Sequence, residues 1–178
     1  MDAEGITYML IGGQAVHLHG EPRLTRDIDV TLGVDSSQLN RLRAAMEGID
    51  LTPSVADVET FVRRTNVFPL TDPRGGVRVG LIFPSTPYET EAIRRAVGVV
   101  FHGVTVRFAA AEDLIIHKLV AGRARDIEDV AGVLARHPSL DESYLARWLS
   151  SFRDVVQRDF IQELAALKHQ RDEAGNPR

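Results

Sequence analysis

Residues 11–32 read IGGQAVHLHGEPRLTRDIDVTL, and no other stretch constrains the chain as much. A glycine pair closes one apolar segment, Tyr8-Met9-Leu10-Ile11, and two aspartates sit inside the next. In Asp27-Ile28-Asp29-Val30 the alternation of a strand puts both carboxylates on one face and Ile28 and Val30 on the other. Two like charges on one strand face cost stability unless a cation offsets them. Arg23 and Arg26, just before the aspartates, are the expected compensation. A strand that runs into Gly12-Gly13 and then a helix leaves backbone N–H groups free at the helix start. Glycine lets a phosphate come close to them, and the helix dipole favours the anion. Two aspartates at i, i+2 can hold one or two Mg²⁺ ions that bridge to nucleotide phosphates. N–H groups for a phosphate and carboxylates for its metal complement each other.

At 178 residues the chain is most economically one domain with a substantial core. Its 44% apolar and 26% charged residues are ordinary for a globular protein. No apolar run approaches the length that spans a bilayer, and no basic-then-apolar leader begins at Met1, so no membrane partner is expected and the expected location is cytoplasmic. The absence of cysteine excludes disulfides and thiolate metal sites. A net charge of −4 gives no bulk attraction to nucleic acid. The cations are nineteen arginines and two lysines, Lys118 and Lys168. A lysine at 118, where arginine is this chain's habit, hints at a point-charge role.

Tyr8–Ile11 and Asp27–Leu32 read as strands, with a short helix over Gln14–His19 stopped by Gly20 and Pro22. Leu39, Leu42 and Met46 give Ser36–Met46 helical spacing, with Asp35 or Ser36 as N-cap. Val55–Arg63 reads as a short helix or an irregular strand. Val67–Leu70 and Val77–Phe83 flank TDPRGG as a hairpin, and Val99–Phe101 and Val104–Phe108 form a second around His102-Gly103. Thr86–Ala96 reads as a helix with Pro87 in its first turn. Helices are also expected over Glu112–Val120, Ile127–Leu134 and Tyr144–Leu167, the last broken near Phe152, with a polar, frayed tail from Arg171. The order implies an α/β (α+β) fold: a small mixed β-sheet flanked by helices, with a helical C-terminal part. The expected division is a domain over 1–140 and a helical extension over 141–178 packed on it.

The spaced Gly-Gly and Asp-x-Asp resemble the nucleotidyltransferases of the DNA polymerase β superfamily. The fuller string GGQAVHLHGEPRLTRDIDV is similar to the minimal, abortive-infection-type branch, through Gly12, Gly13, Ala15, Gly20, Arg23, Thr25, Asp27 and Asp29. The similarity continues in PYETEAIRRA and in EDLIIHKLVAGRARDIEDV, through Asp113, Leu114, Lys118, Arg125, Asp126 and Asp129, and covers roughly residues 7–134. The resemblance implies transfer of a nucleoside monophosphate from an NTP to an acceptor hydroxyl, with release of pyrophosphate. It implies Mg²⁺ on Asp27 and Asp29 and a triphosphate cradled by Gly12-Gly13. Lys118 would neutralise phosphate charge and act in catalysis. Arg23, Thr25, Arg125, Asp126 and Asp129 would belong to the nucleotide site. Family acceptors include tRNA ends, protein side chains and antibiotics, and a toxin–antitoxin or phage-defence setting with an antitoxin partner follows from the branch. The fold alone does not choose among them. Two alternatives stand beside the tRNA or protein acceptor: a catalytically inactive nucleotide-binding or partner-docking module, and an antibiotic nucleotidyltransferase.

The pattern departs from the family at one position. The third carboxylate is expected on the later strand Val77-Arg78-Val79-Gly80-Leu81-Ile82-Phe83, where Gly80 stands in its place. Either the chain is a degenerate relative that still binds nucleotide, or Asp126, Asp129 or Glu89 substitutes, or Gly80 is a replacement that silences a toxic enzyme. The structural alternative is a bulge or a close backbone approach. The other candidates have plain structural readings too. Asp126 and Asp129 suit helical pairs with Arg123 and Arg125. Zinc ligation by His17 and His19 is not expected, and Leu145, Trp148, Leu149 and Phe152 form a core stripe.

Overall fold

The computed structural model of the chain describes residues 5–174, which fall into two compact units. The first runs to residue 14 and resumes over 24–109; the second holds 15–23 and the chain from 110 onward.

The first unit is built on seven strands: β1 (Tyr8–Ile11), β2 (Asp27–Leu32), β3 (Thr52–Pro53), β4 (Val67–Thr71), β5 (Arg78–Ile82), β6 (Val97–Phe101) and β7 (Val104–Phe108). They form one sheet in the order β3-β4-β5-β2-β1-β7-β6. The pairs β1–β2, β3–β4, β4–β5 and β6–β7 are antiparallel, while β2–β5 and β1–β7 are parallel, so the sheet is mixed. β3 was not expected: two residues, one of them proline, show no alternation to read.

The strand period sorts the residues by face. Tyr8, Val30, Leu32, Phe68, Leu70, Leu81 and Phe83 form one buried cluster with residues of two helices, α2 (Leu39–Glu47) and α3 (Val58–Thr65). Leu42 and Val62 are their deepest contributions. The opposite face carries Asp27, Asp29, Arg78 and Gly80. The segment before α2 opens as a 3₁₀ turn over Ser36–Gln38, where the Asp35 carboxylate accepts the Ser37 N–H at 2.8 Å. The ambiguous segment is helical, because Asp57 accepts the Thr60 N–H at 3.0 Å and Asn66 ends the helix at φ 55°. A further helix, α4 (Pro87–Arg95), starts with a reciprocal cap between Thr86 and Glu89.

The first helix, α1 (Gly12–His19), begins at the glycine pair itself, two residues before the expected Gln14. Its last residues belong to the second unit, with α5 (Ala111–Ala121), α6 (Ala124–Arg136), α7 (Glu142–Val156) and α8 (Phe160–Ala174). α5 and α6 therefore cluster with the C-terminal helices around Leu114, Ile115, Leu119, Val133, Leu149 and Phe160. The break expected near Phe152 lies at Gln157, which takes a left-handed φ of 58° and ends α7. Asp159 then caps α8 by accepting the Gln162 N–H at 3.0 Å. The tail expected to fray from Arg171 stays helical to Ala174; its last residues lie outside the described range. No described helix is long and apolar enough to cross a membrane.

Phe68 is fully buried at the centre of the sheet cluster. Phe68→Ala is expected to cost about 3–5 kcal/mol, read as a lower midpoint with unchanged slope in urea unfolding followed by circular dichroism.

Candidate active site

In the antiparallel β1–β2 pair, Ile11 lies opposite Asp29, so the turn that follows β1 is delivered to the second aspartate. Gly12 makes that turn at φ +62°, and a Cβ on it would lie 2.5 Å from Asp29 Oδ2. Both facts demand glycine: the left-handed backbone and the carboxylate pressed against it. Gly13 is fixed differently. A Cβ there would lie 2.8 Å from Thr25 Oγ1, so Thr25 of the Arg-x-Thr segment packs on the glycine. Thr25 Oγ1 also accepts the Asp27 N–H at 3.3 Å, tying the same residue to the start of β2.

On the other side of β2, the parallel register sets Asp27 beside Arg78 and Asp29 beside Gly80. A Cβ on Gly80 would lie 3.2 Å from Asp29 Oδ1. Asp29 thus has its two carboxylate oxygens against two glycines, one at the end of β1 and one in β5. Gly80 is paired in register with Asp29 on one side and Pro69 on the other, which corrects the bulge alternative. Its lack of a side chain gives Asp29 room. Asp27 is compensated by Arg78, whose Nε donates to Oδ1 at 2.7 Å. This corrects the assignment of Arg23 and Arg26 as the compensating cations. Arg23 pairs within the second unit instead, and the Arg26 side chain is exposed. The parity rule already placed residue 78 on the face of residue 80; only the β2–β5 register was missing.

The second unit gathers another set of the expected residues. Lys118, 4% exposed, lies 2.8 Å from Asp126 Oδ1 and 2.7 Å from Asp129 Oδ2. Arg23 grips Asp129 with two bonds, Nε to Oδ1 at 2.8 Å and Nη2 to Oδ2 at 2.9 Å. Arg123 donates from Nε to Asp126 Oδ2 at 2.6 Å, the helical i, i+3 pair expected for that aspartate. Asp129 does not pair with Arg125, which is exposed on α6. Burial pushes both carboxyls up, but the hydrogen bonds outweigh it: Arg123 and Lys118 bring Asp126 below the ordinary carboxylate range, and Arg23 and Lys118 do the same for Asp129. The Asp129 bond raises Arg23. Two buried carboxylates are shared by three cations in one network.

The remaining candidates have structural partners. Asp113 is fully buried and accepts the Tyr144 hydroxyl at 2.6 Å. Glu89 is engaged in the cap of α4, through the Thr86 N–H at 2.9 Å. His17 Nε2 bonds the Arg23 carbonyl, and His19 Nδ1 lies 3.3 Å from His137 Nε2. Leu145 and Leu149 are buried, as expected of the stripe.

The lowered carboxyls of Asp126 and Asp129 contribute stability that is complete above their unfolded pKa, near about 4, and lost as pH falls through the native values. Lys118→Met is expected to cost about 3–5 kcal/mol at pH 7. Both carboxyls then rise relative to the parent, and the stability gap to the parent narrows as pH falls through them. Melting temperatures of both proteins across that range check it; a gap that widens contradicts the network.

Comparison with known proteins follows the same lines. Residues 2–176 match the family described as nucleotidyl transferase AbiEii toxin, type IV TA system. No curated protein sequence matches the chain. Among solved structures, the antibiotic-resistance factor ANT(2'')-Ia is similar at 18% identity, covering 97% of this chain and 91% of that one, with a TM-score of 0.55. An antigenic nucleotidyltransferase-like protein from Paracoccidioides brasiliensis is similar at 20% identity, over 93% and 87% of the two chains, with a TM-score of 0.50. The lincosamide antibiotic adenylyltransferase LnuA follows at 14% identity, over 74% and 88%, with a TM-score of 0.50. At these identities the likenesses establish the nucleotidyltransferase fold. The family match extends over nearly the whole sequence: the chain belongs to the AbiEii nucleotidyltransferase toxins of type IV toxin–antitoxin systems.

Proposed function

We propose that the chain transfers a nucleoside monophosphate from an NTP to a hydroxyl of tRNA or protein, with Mg²⁺ held by Asp27 and Asp29. The observation that carries this is the seat of Asp29, its carboxylate set between Gly12 and Gly80 on the face it shares with Asp27. The donor set fits the metal. Both side chains offer hard oxygens, and Mg²⁺ is commonly taken by one or two carboxylates together with substrate phosphates. Among the described residues no group of three or more histidines and carboxylates could hold a metal by itself. When bound, Mg²⁺ would neutralise and orient the triphosphate.

Gly12 and Gly13, with the first N–H groups of α1, receive the phosphates, and Thr25 supports that cradle from β2's lead-in. The acceptor oxygen bonds the α-phosphorus, the bond to pyrophosphate breaks, and the hydroxyl proton passes to water. Gly80 removes the carboxylate that would take that proton. A missing general base lowers a rate by about 10²–10⁴-fold, so slow transfer is the expected behaviour. By the family resemblance Arg23, Lys118, Arg125, Asp126 and Asp129 also serve the nucleotide. Within the second unit Lys118 is already engaged by Asp126 and Asp129, whereas Arg125 is exposed on α6. The setting is a cytoplasmic toxin restrained by an antitoxin.

Gly80 also favours a second reading, a nucleotide-binding module of the same fold without turnover. An antibiotic acceptor rests on the likenesses to ANT(2'')-Ia and LnuA, which extend to fold. Calorimetric titration with each NTP and Mg²⁺, followed by label transfer from α-labelled NTPs to total tRNA and cell protein, separates these. The parent is expected to bind one NTP with Mg²⁺ and to label an acceptor slowly, and Asp29→Asn to lose both. Unchanged affinity in Asp29→Asn removes the site; binding without transfer supports the module.

A further inference from the structure

We propose that Arg78 is a resident competitor for the metal at Asp27, so that a divalent cation enters only by displacing the guanidinium, and does so best together with a triphosphate that receives it. This rests on the metal reading of Asp27 and Asp29.

Three observations converge on it. Asp27 and Arg78 are register partners in the parallel β2–β5 pair, so the strands themselves bring the two side chains to the same face. Arg78 Nε donates to Asp27 Oδ1 at 2.7 Å, on the carboxylate that a metal bridging the pair would use. The third position of that face is Gly80, so the charge that β5 brings beside the aspartates is Arg78 and not a third carboxylate.

The exposure of the pair decides how strongly Arg78 can act. The Arg78 side chain is 70% exposed and that of Asp27 46%. An exposed ion pair contributes little, so the guanidinium is a competitor that yields, not a plug. Its charge still acts on whatever replaces it. Displaced to roughly 6–12 Å from a divalent ion in a water-like medium, its single positive charge lowers affinity by roughly three- to tenfold, less at high salt. A triphosphate changes the balance. Its oxygens supply further ligands to the metal and accept the planar donors of arginine. The free protein therefore holds a metal weakly, and metal and nucleotide bind with positive coupling. The sequence Arg-Val-Gly thus encodes more than a lost carboxylate: it makes the metal site conditional on the substrate.

The test is direct titration with Mn²⁺ alone, following free Mn²⁺ by electron paramagnetic resonance, on the parent, Arg78→Gln, Arg78→Lys and Asp29→Asn. Unchanged far-UV circular dichroism and melting show that each variant is folded. Arg78→Gln is expected to bind Mn²⁺ three- to tenfold more tightly than the parent at low salt. Arg78→Lys, which keeps the charge, stays near the parent, and Asp29→Asn loses the site. Equal or weaker binding by Arg78→Gln, with Asp29→Asn still defective, overturns the competitor role and leaves the metal site standing. Retained binding by Asp29→Asn places the metal elsewhere and overturns both.

Discussion

The close approach of Asp29 to two glycines is the constraint from which the rest of the sheet's organisation around the site follows. A carboxylate can lie there because Gly12 leaves β1 through a left-handed turn, and the missing side chain at Gly80 gives it further room. Any Cβ at Gly12 would meet Asp29 Oδ2 at 2.5 Å. The antiparallel register of β1 and β2 and the parallel register of β2 and β5 bring these residues together from three separate parts of the chain. The opposite face of the same strands is closed by α2 and α3 over Phe68, Leu70 and Leu81. A rigid apolar layer behind the strands holds the carboxylates in front, which keeps a polar site on secondary structure rather than on a loop.

The two units show two solutions to charge. In the sheet unit the aspartates are half-exposed, and one of them is matched by a single exposed arginine. In the helical unit, Asp126 and Asp129 are buried and each is bonded to Lys118 and to an arginine. The first arrangement is suited to exchange a protein cation for a metal or a ligand, because little is lost when the pair opens. The second is not, because opening it strands a buried charge. That contrast supports the proposal that Asp27 and Asp29 carry the chemistry, and it gives Lys118 a structural duty in its own unit.

Much of this was legible in the sequence, for identifiable reasons. Alternation in Asp-Ile-Asp-Val placed both carboxylates on one face, the turn chemistry of TDPRGG marked the β4–β5 hairpin, and Pro87 marked the first turn of α4. Gly80 was visible as the position without a carboxylate. What was hidden depended on register and on long-range partners. Arg78 is fifty-one residues from Asp27, and Arg23 finds Asp129 across 106, distances over which local periodicity carries no information. Arg23 stands next to the aspartates in sequence, and adjacency made it the natural compensating charge. The break between α7 and α8 was missed because Gln157 takes a left-handed conformation that no glycine announces.

The central claim is that Asp27 and Asp29 form a working nucleotidyl-transfer site slowed by the glycine at 80. The most direct measurement compares pyrophosphate release and label transfer from α-labelled NTPs by the chain and by Gly80→Asp, with the same acceptors and Mg²⁺. Asp29 must shift by a few tenths of an ångström to admit the new Cβ, which meets its Oδ1 at 3.2 Å. Slow transfer by the parent and a gain of about 10²-fold or more in Gly80→Asp is the predicted result. Equal transfer by both proteins would show that the carboxylate at this position is not what limits the reaction. Transfer by neither, with acceptors that related toxins modify, would contradict the account.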